Sequence, residues 1–154
     1  MKFTGRIDVP APRQAVFEKL RDAHFFASCV DGVQDLVEID ARHYTATLET
    51  RVAYITFKFA VSVEIVELDV PVRVVARVEG TPIGMVGRLT ATSAANLEEQ
   101  DGGTAVNYDL DVALTGKLGS LGQSVLQSKA KEMERQFASR IHARFQATNA
   151  GSET

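Results

Sequence analysis

The stretch Ile55–Val70, "ITFKFAVSVEIVELDV", alternates for most of its length. Ile55, Phe57, Phe59, Val61, Val63 and Ile65 fall on one side; Thr56, Lys58, Ser62 and Glu64 fall on the other. Strict alternation is the signature of a half-buried strand. A straight strand of this length would span roughly 50 Å, whereas a compact chain of this size has a radius of gyration of only about 15 Å. The strand therefore has to curve or break, and the sheet around it becomes a concave grip. Gly80, Gly84 and Gly87 sit where neighbouring strands need to bend.

Working outward, further strands are expected at "VQDLVEI" (33–39), "HYTATLETRV" (43–52), "VRVVARVE" (72–79), "MVGRLTATSAANLE" (85–98) and "TAVNYDLDVAL" (104–114). The short breaks between them carry turn residues, so these strands form an antiparallel meander. A first strand, "KFTGRIDV" (2–9), stands apart. Between it and the meander lie two short helices: one opened by Pro12, and one, "AHFFASCV", capped by Asp22 and ended by Gly32. Phe25, Phe26 and Cys29 are the apolar residues of the second.

After the last strand, Leu118, Leu121, Leu126, Ala130, Met133, Phe137, Ile141 and Phe145 recur at threes and fours. That spacing predicts one amphipathic helix of about 29 residues from Lys117, near 43 Å long. Ser120 and Gln123 have the spacing of a capping box. The expected organisation is a single domain over 1–146 with a flexible tail over 147–154.

The junction "DLDVALTGKLGSLGQSVL" (109–126) invites comparison with a phosphate-binding loop. Asp111 stands where the first glycine of that motif belongs, and Leu118 follows Lys117 in place of a hydroxyl residue. The stretch is read instead as a hinge, in which Gly116, Gly119 and Gly122 let the chain turn sharply and approach the sheet.

Composition is that of a soluble globular domain: 154 residues, 45% hydrophobic, 24% charged. The net charge of -3 gives no reason to expect nucleic acid. One cysteine, Cys29, excludes an internal disulfide and suits a reducing compartment. The start does not read as a signal peptide, and no run reaches the length of a membrane span. Residues 117–145 carry +4, which leaves -7 elsewhere. This is read as a solvated helix with cations toward its C-terminus. A face for an acidic partner or a membrane surface, built on Lys131, Arg135 and His142, is the alternative.

The inward phase of the strands holds Phe57, Phe59, Val61, Val74, Val78 and Met85, then Leu89, Ala91, Tyr108 and Leu110. The helix adds Leu126, Met133 and Phe137, and the second short helix adds Phe26. Such a lining suits a water-poor ligand with few hydrogen-bonding groups, and methionines would adapt to its shape. The same side chains could also meet as a solid core. Tyr44, Tyr108 and Ser93 are the polar groups expected to point inward.

Catalytic chemistry has little to stand on. His24, His43 and His142 lie on separate elements without metal-ligand spacing, so no metal site is expected. Cys29 reads as a small buried apolar residue. Asp109 and Asp111, two apart on a strand, share its outer face as solvated charges.

The order of strand, two short helices, six-stranded meander and long C-terminal helix resembles the helix-grip fold of the START/Bet v 1-like (SRPBCC) superfamily. This is an α+β fold in which a curved seven-stranded antiparallel sheet wraps on the helix. Three segments, "MKFTGRIDVPAPRQAVFEKLRD" (1–22), "CVDG" (29–32) and "TGKLGSLGQSVLQSKAKEMERQF" (115–137), are similar to the carbon monoxide dehydrogenase G-subunit family. The resemblance implies a non-enzymatic accessory protein with a hydrophobic cavity for a quinone or other lipophilic ligand and no covalent cofactor. It further implies service to a molybdenum hydroxylase of the carbon monoxide dehydrogenase type, in the cytoplasm, with transient contact at a membrane surface. Asp31 stands where the family's usual "C-[IV]-P-G" has proline, which implies a looser turn. Many members carry an apolar C-terminal extension; with the chain ending at Thr154, permanent anchoring is not expected. The runner-up is a polyketide cyclase/dehydratase-like enzyme of the same fold, which needs ionisable groups facing the cavity.

Overall fold

The alternation read from the sequence resolves into seven strands among the described residues. The computed structural model describes residues 1–152, with side chains through residue 146. The strands are β1 (Lys2–Val9), β2 (Val33–Glu38), β3 (His43–Val52), β4 (Ile55–Asp69), β5 (Arg73–Pro82), β6 (Gly87–Gln100) and β7 (Gly103–Gly116). They pair antiparallel in the order β1-β7-β6-β5-β4-β3-β2. Two helices, α1 (Arg13–Leu20) and α2 (Ala23–Ser28), follow β1, and α3 (Gln123–Ser152) closes the chain. The tail expected over 147–154 lies outside the residues whose side chains are described.

Local chemistry sets the short elements. Pro12 is the N-cap of α1, and Asp22 caps α2 by accepting hydrogen bonds from the His24 and Phe25 amides. The length conflict in β4 is resolved by curvature. Its register against β5 slips between Ile65 and Glu67, which inserts an extra residue and bends the strand.

The junction after β7 differs from the expectation of a continuous helix. Lys117–Ser120 form a single 3-10 turn, Leu121 is extended, and α3 starts only at Gln123. Ser120 Oγ donates to the Lys117 carbonyl at 2.7 Å, so the Ser120–Gln123 capping box does not form. The physical reason is Leu118, only 1% exposed, which must drop into the end of the sheet before the chain can run across it. Gly116 permits this with φ 65°; a Cβ there would stand 2.7 Å from the Val86 carbonyl oxygen. Gly122 has open space around it, so the hinge rests on Gly116 rather than on all three glycines.

The core divides in two. One cluster joins Ile7, Val9, Val16, Phe17, Leu97, Ile141 and Phe145, with Cys29 fully buried among them. The other, at the opposite end of α3, joins Val52, Phe57, Phe59 and Leu118. Burial of this kind contributes about 1.5–3 kcal/mol per large side chain.

A polar clasp sits beside the first cluster. The Tyr108 hydroxyl donates to Glu134 Oε1 at 2.6 Å, tying β7 to α3. Burial, then the Glu134 carboxylate, push the Tyr108 phenol far above its ordinary range. The two groups meet over Gly5, where a Cβ would lie 2.3 Å from both. At the β2–β3 turn, His43 Nδ1 lies 2.9 Å from Asp40 Oδ1 and its Nε2 lies 3.1 Å from Glu64 Oε2. Hydrogen bonds to Asp40, then Glu64, raise the His43 pKa.

Two outcomes are expected. Gly5→Ala forces the clasp apart and destabilises the protein by about 2–3 kcal/mol, more than the ~1–2 kcal/mol of Tyr108→Phe, in urea unfolding. For His43, a folded pKa above the unfolded value means its stabilisation is full below about pH 6.5 and fades as pH rises through the folded value. An NMR titration should place the His43 midpoint above that of ordinary histidine, and Asp40→Asn should lower it.

Candidate functional site

Cross-strand register places the inward residues in rows beneath α3. Tyr108 pairs with Ala95 and Ala95 with Val74; this row belongs to the first core cluster. Leu114 pairs with Leu89, Leu89 with Gly80, and Gly80 with Val61; this row flanks the second cluster. Two rows lie between. One runs Leu110, Ser93, Ala76, Ile65; the other runs Val112, Ala91, Val78, Val63, Tyr44.

The middle rows set the short Ala76, Ala91 and Ser93 among larger neighbours, Ile65, Leu110, Val112, Val78, Val63 and Tyr44. Leu110 and Val78 in these rows, and Leu126 and Met133 on α3, are half-buried. They belong to neither cluster.

The sequence-derived candidates therefore separate. Phe57, Phe59, Val61, Met85 and Leu89 pack in or against the second cluster, and Val74, Tyr108 and Phe137 pack against the first. Phe26 is 39% exposed and its ring lies 5.0 Å from that of Phe137. Val78, Leu110 and Ala91 lie in the middle rows, and Leu126 and Met133 on α3 join neither cluster.

The polar groups separate too. Tyr108 is spent on Glu134. Sequence reasoning missed Glu134 because it sits one residue beside the apolar stripe at Met133; the signal was Gly5, an inward position without a side chain. Tyr44 and Ser93 fall in the middle rows, and neither hydroxyl has a partner among the described residues. Burial, then the charge of Glu38, raise the Tyr44 pKa. His24 stands outside, 71% exposed and 3.4 Å from Glu38.

The Asp31 carboxylate takes the guanidinium of Arg140 on α3. Gly32, with φ 84°, lets the chain press against β3, since a Cβ there would meet the Glu49 carbonyl oxygen.

A groove of about 520 Å³ opens between the end of β3 and the first turns of α3, with Arg51, Ala53, Ser124, Val125 and Lys129 in its wall. None of the candidates lines it, because it lies on the flank of α3 rather than beneath it. A second groove, about 400 Å³, runs over β3–β5 with Thr47, Ser62 and Thr81 in its wall; Val61 is the one candidate it touches. Among the described residues no group of His, Cys, Asp and Glu is placed to hold a metal ion, and no helix is long and apolar enough to cross a membrane.

No curated protein matches the chain. Among solved structures, a conserved protein from Geobacillus kaustophilus is similar at 23% identity and TM-score 0.87, covering 96% of this chain and 97% of that one. Ara h 8.0201 is similar at 15% identity and TM-score 0.69, covering 96% and 98%. Protein Ms6760 from Mycobacterium smegmatis is similar at 20% identity and TM-score 0.69, covering 96% and 92%. These likenesses show the fold, a Bet v 1-like helix-grip. The family model for CoxG, the G subunit of carbon monoxide dehydrogenase, matches residues 5–146. The chain that curves its sheet around α3 in this way belongs to the CoxG family.

Proposed function

We propose that this protein is a non-enzymatic accessory protein that carries a lipophilic, quinone-like molecule between the middle of the sheet and α3. The observation that carries the reading is the pair of rows between the two core clusters, where Ala76, Ala91 and Ser93 interrupt the larger apolar side chains. Apolar neighbours on every side favour a greasy body, and two unpartnered hydroxyls, Tyr44 and Ser93, are placed to donate to carbonyl oxygens. A quinone combines both features. Its expected client is a molybdenum hydroxylase of the carbon monoxide dehydrogenase type, as the family description suggests.

The inward acid–base pair that a cyclase would need is poorly served here. Tyr108 and Glu134 are closed on each other, and His24 lies on the surface.

Native mass spectrometry after mixing with menaquinone or ubiquinone analogues should show a one-to-one complex. Tyr44→Phe and Ser93→Ala should each weaken it about 5–10-fold, the equivalent of one modest hydrogen bond, and Tyr108→Phe should leave affinity unchanged. Ala76→Phe gives a second discrimination. In an unfilled middle it occupies the ligand's space, abolishing binding with stability retained. In a solid core it would instead cost about 1–3 kcal/mol by overpacking. That loss, together with no bound species, would end the carrier reading.

A further inference from the structure

The groove between the end of β3 and the first turns of α3, about 520 Å³, lies on the flank of the helix and takes no part in the carrier reading. Two local patterns build its walls. On β3, Val52 turns into the second core cluster, so Arg51 and Ala53 on either side of it turn outward. On α3, Val125, Lys129 and Glu132 repeat at the spacing of one helix face, with Ser124 and Ser128 beside them. Val125 packs against the second cluster, which gives the groove a fixed apolar floor.

Several polar groups around this floor are unspent. The Arg51 guanidinium has neither an ion pair nor a hydrogen bond among the described residues. The Ser124 and Ser128 hydroxyls have no partner there either. Neither makes the bond back to the preceding turn that serines inside a helix can make. Lys129 keeps its stem packed, with its side chain only 16% exposed, and its ammonium reaches Glu132 Oε2 at 3.5 Å. Arg51 and Lys129 against Glu132 leave the groove with a net charge of +1.

We infer that this groove binds a small monocarboxylate with an apolar, ring-sized body. The planar guanidinium of Arg51 presents parallel N–H groups that match the two oxygens of a carboxylate. The serine hydroxyls and the Lys129 ammonium are further donors for the same head. The body would lie along Ala53 and Val125. Charge sets the class of ligand. One net positive charge balances one carboxylate, whereas a phosphate monoester carries close to two negative charges at neutral pH and would be repelled by Glu132. A neutral ligand would leave the guanidinium unmatched. The volume falls in the range of small-molecule sites and exceeds what an anionic head alone fills.

An occupant would touch both walls. It would join the end of β3 to the start of α3, close to the point where the buried Leu118 anchors the chain. A ligand held by the folded protein alone stabilises it by mass action, so occupancy would tighten this end of the helix. Tyr44 and Ser93, the hydroxyls of the middle rows, do not border the groove, so the two sites are separate.

The test titrates three probes with one body and three heads, naphthoate, naphthamide and naphthyl phosphate, into the intact protein by calorimetry. Naphthoate should bind at one site, at least tenfold tighter than naphthamide and more tightly than naphthyl phosphate. It should also raise the unfolding temperature as its concentration rises. Arg51→Gln should weaken naphthoate at least tenfold, and Arg51→Lys, which keeps the charge without the fork, should recover only part of the loss. Glu132→Gln removes the repelling carboxylate and should reverse the order, so that the phosphate binds more tightly than the carboxylate. Both positions are exposed, and circular dichroism of each variant verifies that the fold is kept. Naphthamide binding as tightly as naphthoate, naphthoate binding unchanged in Arg51→Gln, an unreversed order in Glu132→Gln, or no naphthoate binding would overturn the inference. Quinone-analogue binding should be the same in Arg51→Gln as in the unmodified protein. Its loss in that variant would merge the groove with the interior and overturn the inference too, whereas its absence in the unmodified protein would sink the carrier reading alone.

Discussion

How far α3 stands from the middle of the sheet depends on how the helix is held at its two ends. At one end Leu118 is driven into the sheet by the 3-10 turn, and Gly116 allows the backbone to approach Val86 and Gly87 closely. At the other, Ile141 and Phe145 pack among β1, α1 and α2 residues. The helix is thus a beam resting on two piers. Between them the sheet offers the short Ala76, Ala91 and Ser93 among larger neighbours such as Val78 and Leu110. Hydrophobic burial stabilises each pier.

Polar ties refine this arrangement. Tyr108 and Glu134 fix the height and rotation of α3 over β1, and the absence of a side chain at Gly5 leaves them room. Asp31 and Arg140 bind the turn after α2 to the same helix. Proline at position 31 would stiffen the turn but could not reach the helix. An exposed ion pair of this type contributes little to stability, about 0–1 kcal/mol. Its use lies in orientation, since it couples the α2 flank to the beam.

Much of this was legible in the sequence. Alternation identified the strands and their inward phase, and the threes-and-fours spacing identified α3. What alternation cannot give is the row in which an inward residue falls. Phe57 and Val78 share a phase, yet one is pier and the other span. That difference depends on cross-strand neighbours and on the height of a helix far away in the chain. The bulge near Val66 was similarly hidden, because a single inserted residue changes phase without changing composition. The break before Gln123 was masked by Leu118 and Leu121, which continue the helical spacing while occupying a turn.

The strand at the sheet's far rim carries a further consequence. β2 is short, slips register against β3 between Gln34 and Val37, and holds Asp35 in the left-handed region at φ 55°. Its exposed border therefore offers no regular ladder of amide and carbonyl groups for another chain to join. A protein that bears Val37 and Ile39 on its surface beside such a border would otherwise be a ready seed for polymerisation. The crooked rim keeps the sheet from gluing itself to its neighbours.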